Sequence, residues 1–320
     1  RYRHIPYIVY NGNIVKKITK LGIDLPKPVL LPTILLKNDD GTIVATTDST
    51  PIIRRLENDF SERKIIPDDP ALAFINYLLE DFGDEWVTKY MFHYRWYFEE
   101  DADVAGAILP LVDIAINTSN DTLTEYKKIV TERQKGRLWV VGSNDRTADF
   151  IDSSYKRFLN LMEDHLLNSP FLLGTKPSSS DFSFYGQLTQ LVGFDPTPRK
   201  IAYEYSLRTV AWVDVLDDLS GHDAENTSWT KLEDSPESLK NMLKEVGKMY
   251  IPALLANSEA LIKGDETWEM KIDNAVWKQK TFPYQAKCLK WIKNEFDLLN
   301  QEDKKRVLNF LDDTGCETIL

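Results

Sequence analysis

Cysteine is scarce. The 320 residues hold two, Cys288 and Cys316, too few for a disulfide framework and without the paired spacing of a zinc site. Long apolar runs are missing as well. A bilayer-spanning helix needs about 20 apolar residues, and the longest candidate, residues 105–116, is interrupted by Gly106, Pro110 and Asp113. No signal peptide is visible. There is no H-E-x-x-H, no P-loop and no G-x-G-x-x-G, so the zinc-hydrolase, nucleotide and dinucleotide signatures are absent. Positive charge is in deficit: 39 Lys and Arg against 50 Asp and Glu give a net charge of −11, the wrong balance for neutralising a phosphate backbone. These absences point to a soluble, cytoplasmic protein without a nucleic-acid, membrane or metal partner. The chain starts at Arg1 rather than Met, which fits a processed chain or an internal portion.

What is present supports a folded chain. Hydrophobic residues make up 42% and charged residues 28%, enough for a sizeable core, and the length suits about two domains or one with a large extension. Residues 2–9 are rich in strand formers (Tyr2, Ile5, Tyr7, Ile8, Val9) and predict a strand, with Asn11-Gly12 as the turn after it. Ile14, Val15, Ile18 and Leu21 make a short helical stripe that stops at Gly22. Residues 29–36 form an apolar run broken by Pro32 and Thr33. Asn38-Asp39-Asp40-Gly41 reads as a hairpin turn and residues 42–46 as the returning strand. A helix opens at Asp48-Ser49-Thr50-Pro51, with Asp48 or Ser49 as N-cap and proline comfortable in the first turn.

Residues 62–70 are polar, contain two prolines and read as a linker. Beyond them the periodicity is helical over 71–97, 105–117, 122–141, 147–167, 178–192 and 199–219, a bundle of about six helices. After Gly221 the chain turns polar. Residues 236–263 are helical, with a break expected near Pro252. Strict alternation in Trp268-Glu269-Met270-Lys271-Ile272, a turn at Asp273-Asn274 and a return over 276–280 predict a small hairpin. Helices over 283–299 and 302–312 close the chain. The organisation is thus an α/β domain over 1–62, an all-helical domain over 70–221 and a mostly helical extension over 222–320.

One stretch carries chemistry. Proline at a strand start is tolerable, and a cis bond before Pro32 would turn the preceding backbone outward. The Leu31 N–H and C=O are then open to an added extended peptide. The helix N-terminus at Asp48-Ser49 offers free N–H groups and a positive dipole end to a carboxylate. Ser49 adds a hydroxyl donor, and the Asp48 carboxylate suits an ammonium. Together they fit the zwitterionic head of an amino acid. Read alone, Asp48-Ser49-Thr50-Pro51 is a helix cap; Pro32 and the hairpin at the right separation favour the ligand reading.

The arrangement resembles the N-terminal domain of glutathione transferases. There a Val-Pro-x-Leu type segment precedes a hairpin, and a Glu/Asp-Ser pair opens the next helix. Leu31-Pro32-Thr33-Ile34 and Asp48-Ser49 take those places here. The resemblance implies a thioredoxin-like domain in which Leu31 and Pro32 meet the cysteinyl backbone of glutathione and Asp48 and Ser49 hold its γ-glutamyl end. A second stretch, Ser169-Pro170-Phe171-Leu172-Leu173-Gly174 followed by Pro177-Ser178-Ser179-Ser180-Asp181-Phe182, is similar to the segment that begins the central buried helix of the transferase second domain. Ser178 and Asp181 have capping-box spacing, a structural role. The resemblance covers about residues 1–220, and the extension is similar to one in some bacterial members.

In that family the first βα unit carries the Tyr, Ser or Cys that stabilises the thiolate of a thiol whose free pKa is near 8.5. That unit is not visible, so the catalytic residue lies upstream of Arg1 or is absent. The resemblance implies attack of glutathione, as co-substrate, on a small hydrophobic electrophile, or glutathione-dependent thiol chemistry, in a homodimer. The alternative is a non-catalytic binding or assembly module on the same fold.

Trp86, Tyr90, His93, Tyr94 and Tyr97 recur at helical spacing. In the resembling family that helix faces the electrophile cleft, so Tyr90, His93, Tyr94 and Tyr97 are candidate substrate contacts; ordinary core is the other reading. Arg95 reads as solvated or salt-bridged, His165 as a surface residue and His222 as part of a polar loop. Cys288 reads as a half-buried structural thiol, the acidic runs at 99–103 and 214–218 as solvated faces, and Asp195-Pro196-Thr197-Pro198 as a rigid turn.

Overall fold

The computed structural model describes residues 1–10, 12–272 and 275–320. Asn11 and the pair Asp273-Asn274, where turns are expected, lie outside the described residues. The chain divides into two compact units: Arg1–Lys64 with Gly106–Val130, and Ile65–Ala105 with Thr131–Leu320. The extension over 222–320 therefore shares a unit with most of the helical bundle. The described residues are mostly helical, with two separate two-stranded sheets among them.

In the first unit, Asn13 caps α1 (Ile14–Lys20) by accepting the Lys16 N–H. β1 (Thr33–Lys37) pairs antiparallel with β2 (Ile43–Thr47), from Thr33 opposite Thr47 to Lys37 opposite Ile43. The loop between them closes through the Gly41 N–H on the Asn38 carbonyl at 2.9 Å and the Asn38 N–H on the Thr42 carbonyl at 2.8 Å. Gly41 has φ +84°, the left-handed residue that a three-residue hairpin loop needs. The Asp40 carboxylate accepts the Thr42 N–H at 2.9 Å. α2 (Ser49–Asp59) follows directly. The strand expected over residues 2–9 does not form. Strand-forming side chains stabilise a strand only by pairing with a neighbour and covering a face. No described strand pairs with them, and Tyr7, Ile8, Val9 and Tyr10 are exposed. The observed α/β content of residues 1–62 is a hairpin with one helix before it and one after.

The second unit is built on a continuous run: α3 (Pro70–Phe82), a π-helical turn over Gly83–Val87, and α4 (Thr88–Tyr97). Asp69 caps it by accepting the Ala71 N–H at 2.9 Å, and Pro70 takes the first turn, where its missing N–H costs nothing. Two further helices, α5 (Glu99–Asp113) and α6 (Asn120–Lys135), have residues in both units. α7 (Ala148–Leu166) and α8 (Ser179–Leu191) pack against the first run. A Cβ on Gly83 would stand 2.3 Å from Ser183 Oγ, so the crossing with α8 requires glycine. α9 (Pro196–Tyr205), α10 (Leu207–Leu216) and α11 (Glu237–Lys263) follow, then the hairpin of β3 (Thr267–Ile272) and β4 (Ala275–Lys280), and finally α12 (Pro283–Asp297) and α13 (Gln301–Leu311). The core is aromatic: Phe82 lies 6.3 Å from Phe158 and 6.0 Å from Tyr250, and Phe158 lies 5.5 Å from Phe184. These tilted contacts suit the ring quadrupoles. Tyr250 comes from α11, so the extension contributes to this core.

Several local expectations are corrected. α11 runs through Pro252 without the expected break. A proline removes one helical hydrogen bond, but Ile251, Ala253 and Leu254 are all buried, and packing on both sides holds the helix. The helix expected over 199–219 is two, parted at Ser206, whose hydroxyl accepts the Thr209 N–H at 3.2 Å. Asp195-Pro196-Thr197-Pro198 is not a free turn but the entry to α9. Arg95 donates to both oxygens of Asp195 at 2.9 and 3.1 Å, and both residues are buried. Burial pushes the Asp195 carboxyl up to about 6 against the lowering pull of Arg95. His165 lies in the interior, not at the surface, with ring nitrogens 3.0 Å from Ser238 Oγ and 3.1 Å from the Phe171 carbonyl. Asp101, in the run expected to be solvated, is buried and accepts the Thr197 N–H at 2.9 Å. Cys288 and Cys316 are both buried. The β3–β4 hairpin follows its alternation: Trp268, Met270 and Ile272 face inward. Among the described residues no helix is long and apolar enough to cross a membrane.

Candidate functional site

The hairpin register sets Leu31 and Pro32 at the same end of the ladder as Asp48 and Ser49. Thr33 pairs with Thr47 at the open end of the ladder, so the residues just outside the pair, Pro32 and Asp48, are neighbours across the strands. The Leu31–Pro32 peptide bond is cis. Hydroxyls of Thr33 and Thr47 donate to the Leu30 carbonyl, which fixes the chain ahead of the bend. Leu31 is 71% exposed. Asp48 has φ +81°, a left-handed conformation that costs a non-glycine residue on the order of 1–3 kcal/mol and is characteristically kept where geometry serves a function. Its carboxylate accepts the Thr50 N–H at 3.3 Å, so the capping role is realised too. Asp48 and Ser49 are half-exposed. The corner therefore combines the exposed bend at Leu31, just ahead of β1, with the positive end of an 11-residue helix. The first can pair with an extended peptide and the second can hold a carboxylate.

The aromatic candidates lie on α4, in the second unit. Tyr90, His93 and Tyr94 are buried there; Tyr97 keeps part of its surface exposed. Trp86 Nε1 donates to the Tyr90 oxygen at 2.9 Å, which lies 2.6 Å from Ser154 Oγ. Ser154 donates to Glu245 at 3.2 Å, and Arg157 donates to the same carboxylate at 3.0 Å. The Tyr94 hydroxyl donates to Asp152 at 2.7 Å and that of Tyr97 to Asp145 at 2.9 Å. His93 Nδ1 lies 2.7 Å from Ser143 Oγ, and burial holds its imidazole down to about 4. Tyr90, His93 and Tyr94 thus stand in the structure as bonded core residues.

Asp181 does more than its spacing indicates. Its carboxylate accepts the Ser178 N–H and hydroxyl at 2.8 and 2.7 Å and, across the turn, the Leu172 N–H at 2.8 Å. The two halves of the 169–182 stretch are bonded through this one side chain. Burial pushes its carboxyl up to about 6, against the lowering effect of these donors.

Lys89 is a residue that sequence reasoning missed. It is buried between the indoles of Trp86 and Trp277, 5.4 and 5.8 Å from their centroids, and donates to Gln279 Oε1 at 3.3 Å. Burial lowers its ammonium to about 8. The signal was present: residue 89 falls on the same helical face as Trp86 and His93. Among the described residues, no group of three or more His, Cys, Asp or Glu is placed to hold a metal ion. No family model matches the chain, and neither a curated protein nor a solved structure does.

Proposed function

We propose that the chain binds glutathione at the Leu31–Pro32/Asp48–Ser49 corner and acts as a glutathione transferase-like protein. It joins the thiolate to a small hydrophobic electrophile or carries out glutathione-dependent thiol chemistry. In this reading the hairpin and α2 belong to a thioredoxin-like frame, and the protein works as a cytoplasmic homodimer. The observation that carries it is the strand register, which ends the ladder at Thr33 and Thr47 and so sets the exposed Leu31 and the cis Pro32 at the same end as the conformationally costly Asp48 and the start of α2. Leu31 pairs with the cysteinyl backbone, the Ser49 hydroxyl and the first N–H groups of α2 take the γ-glutamyl carboxylate, and Asp48 takes its ammonium. The Asp181 bonds on Leu172 and Ser178 add support from the second family-like stretch.

Retention on immobilised glutathione tests the reading. Wild-type protein is expected to bind and to elute with free glutathione. Ser49→Ala and Asp48→Ala are expected to bind about tenfold more weakly, the loss of one hydrogen bond to a charged group. Retention without conjugation of a chlorodinitrobenzene electrophile supports the non-catalytic alternative. A wild-type protein that is not retained overturns the glutathione assignment.

A further inference from the structure

The second unit holds a serine–histidine pair that lies apart from the residues of the glutathione corner. α4 places His93 one turn after Lys89. Facing them are a single 3-10 turn, Leu138–Val141, and the bend at Gly142-Ser143, fixed by the Ser143 N–H on the Leu138 carbonyl at 3.0 Å. Ser143 Oγ lies 2.7 Å from His93 Nδ1. The other ring nitrogen, Nε2, is buried and meets no hydrogen-bond partner. The imidazole stands nearly perpendicular to the rings of Tyr94 and Phe98, at 5.4 and 5.6 Å, and stacks on Tyr97 at 4.8 Å. Aromatic faces attract the positive edge of an N–H. The tautomer protonated at Nε2 leaves the Nδ1 lone pair to accept from Ser143. Burial keeps the ring neutral near pH 7.

Ser143, itself 4% exposed, is one of the residues that line a cavity of about 200 Å³, together with Trp139, Gly142, Asn144, Gln279 and Lys280. The Gln279 wall is rigid. Its Oε1 accepts from Lys89 Nζ at 3.3 Å and from Trp277 Nε1 at 3.2 Å, and its Nε2 donates to the Val140 carbonyl. Gly142, at φ +72°, holds the bend against β4: a Cβ there would stand 2.5 Å from Trp277 and 2.7 Å from Gln279 Oε1. The volume is several times the ~30 Å³ of a water molecule, which leaves room for a short acyl group.

We propose that Ser143 is an acyl-accepting nucleophile, with His93 as its base, for small activated carboxylic esters. Ser143 Oγ bonds to the acyl carbon while its proton passes to His93 Nδ1. The bond from that carbon to the leaving oxygen breaks, and the leaving oxygen takes the proton from His93, so an alcohol departs and acyl-Ser143 remains. A water molecule deprotonated by the same nitrogen then releases the carboxylic acid and restores Ser143.

The test is reaction of the full chain with p-nitrophenyl acetate, followed by p-nitrophenolate release and by peptide mass mapping. The expected result is one acetyl group per chain on Ser143 and a burst that disappears in Ser143→Ala while the helical circular-dichroism signal holds. In His93→Gln the burst slows about a hundredfold. A second readout on wild type does not depend on that variant folding. With a neutral base the burst rate stays level from about pH 6 to about pH 8, whereas an unassisted serine follows hydroxide and rises about tenfold per pH unit. Acetylation confined to lysines, no burst, a burst that survives in Ser143→Ala, or a rate that follows hydroxide overturns the proposal.

Discussion

An imidazole enclosed by aromatic rings resists protonation, and the direction of its effect on stability follows. Unfolded, His93 titrates near 6.5; folded, burial holds it down to about 4. As pH falls from 6.5 towards 4 the unfolded chain takes up a proton that the folded chain refuses. Stability present above that window is lost across it, by at most about 3 kcal/mol. Asp181 and Asp195 act in the opposite direction. Both are pushed up to about 6 by burial, so the folded chain binds their protons first and gains stability as pH falls towards 4. Urea unfolding at both ends of the window separates the two. His93→Gln should lose less stability on acidification than wild type, and an unchanged acid slope contradicts the assignment. Which α4 residues face inward was legible from their helical spacing. Their partners were not, because Ser154 and Asp152 lie 64 and 58 residues from the Tyr90 and Tyr94 hydroxyls they bond. His165 was misread for the same reason: its sequence neighbours are acidic, but Phe171 and Ser238 enclose it.

The elements that came through best from sequence are those with a complete local signature. The hairpin of β1 and β2 has its glycine at φ +84°, and the turn residues alone specify it. The β3–β4 alternation matches its buried face residue for residue over Trp268, Met270 and Ile272. Residues 2–9 have the composition of a strand but no described strand to pair with, and composition does not report that. Pro252 fails as a break signal because the burial around it outweighs one lost hydrogen bond. At Asp181 the spacing located the cap, but the bond to Leu172 depends on how the 169–176 turn folds back. Asp181→Ala leaves the Leu172 and Ser178 N–H groups buried without their acceptor. The expected cost is about 3 kcal/mol in urea unfolding; a loss below about 1 kcal/mol would show that the carboxylate is not what joins the two segments.

At the scale of the whole chain, the extension is part of the second unit's interior rather than an appendage. Trp277 of β4 packs 5.4 Å from Trp86 and 5.8 Å from Phe150. Trp277→Ala should therefore destabilise the bundle itself, by about 4 kcal/mol, with helical signal and Trp fluorescence lost in one transition. A melt in which the bundle keeps its wild-type midpoint contradicts that integration. The proposal for the first unit is that the exposed Leu31 bend and the mouth of α2 together hold a γ-glutamyl tripeptide. Titration of the isotopically labelled chain with glutathione, read at the backbone amides, tests it most directly. Saturable shifts centred on Leu31, Thr33 and Asp48 through Thr50, reduced in Ser49→Ala, are expected. Glutathione that leaves those amides unmoved, or moves only residues elsewhere, contradicts it.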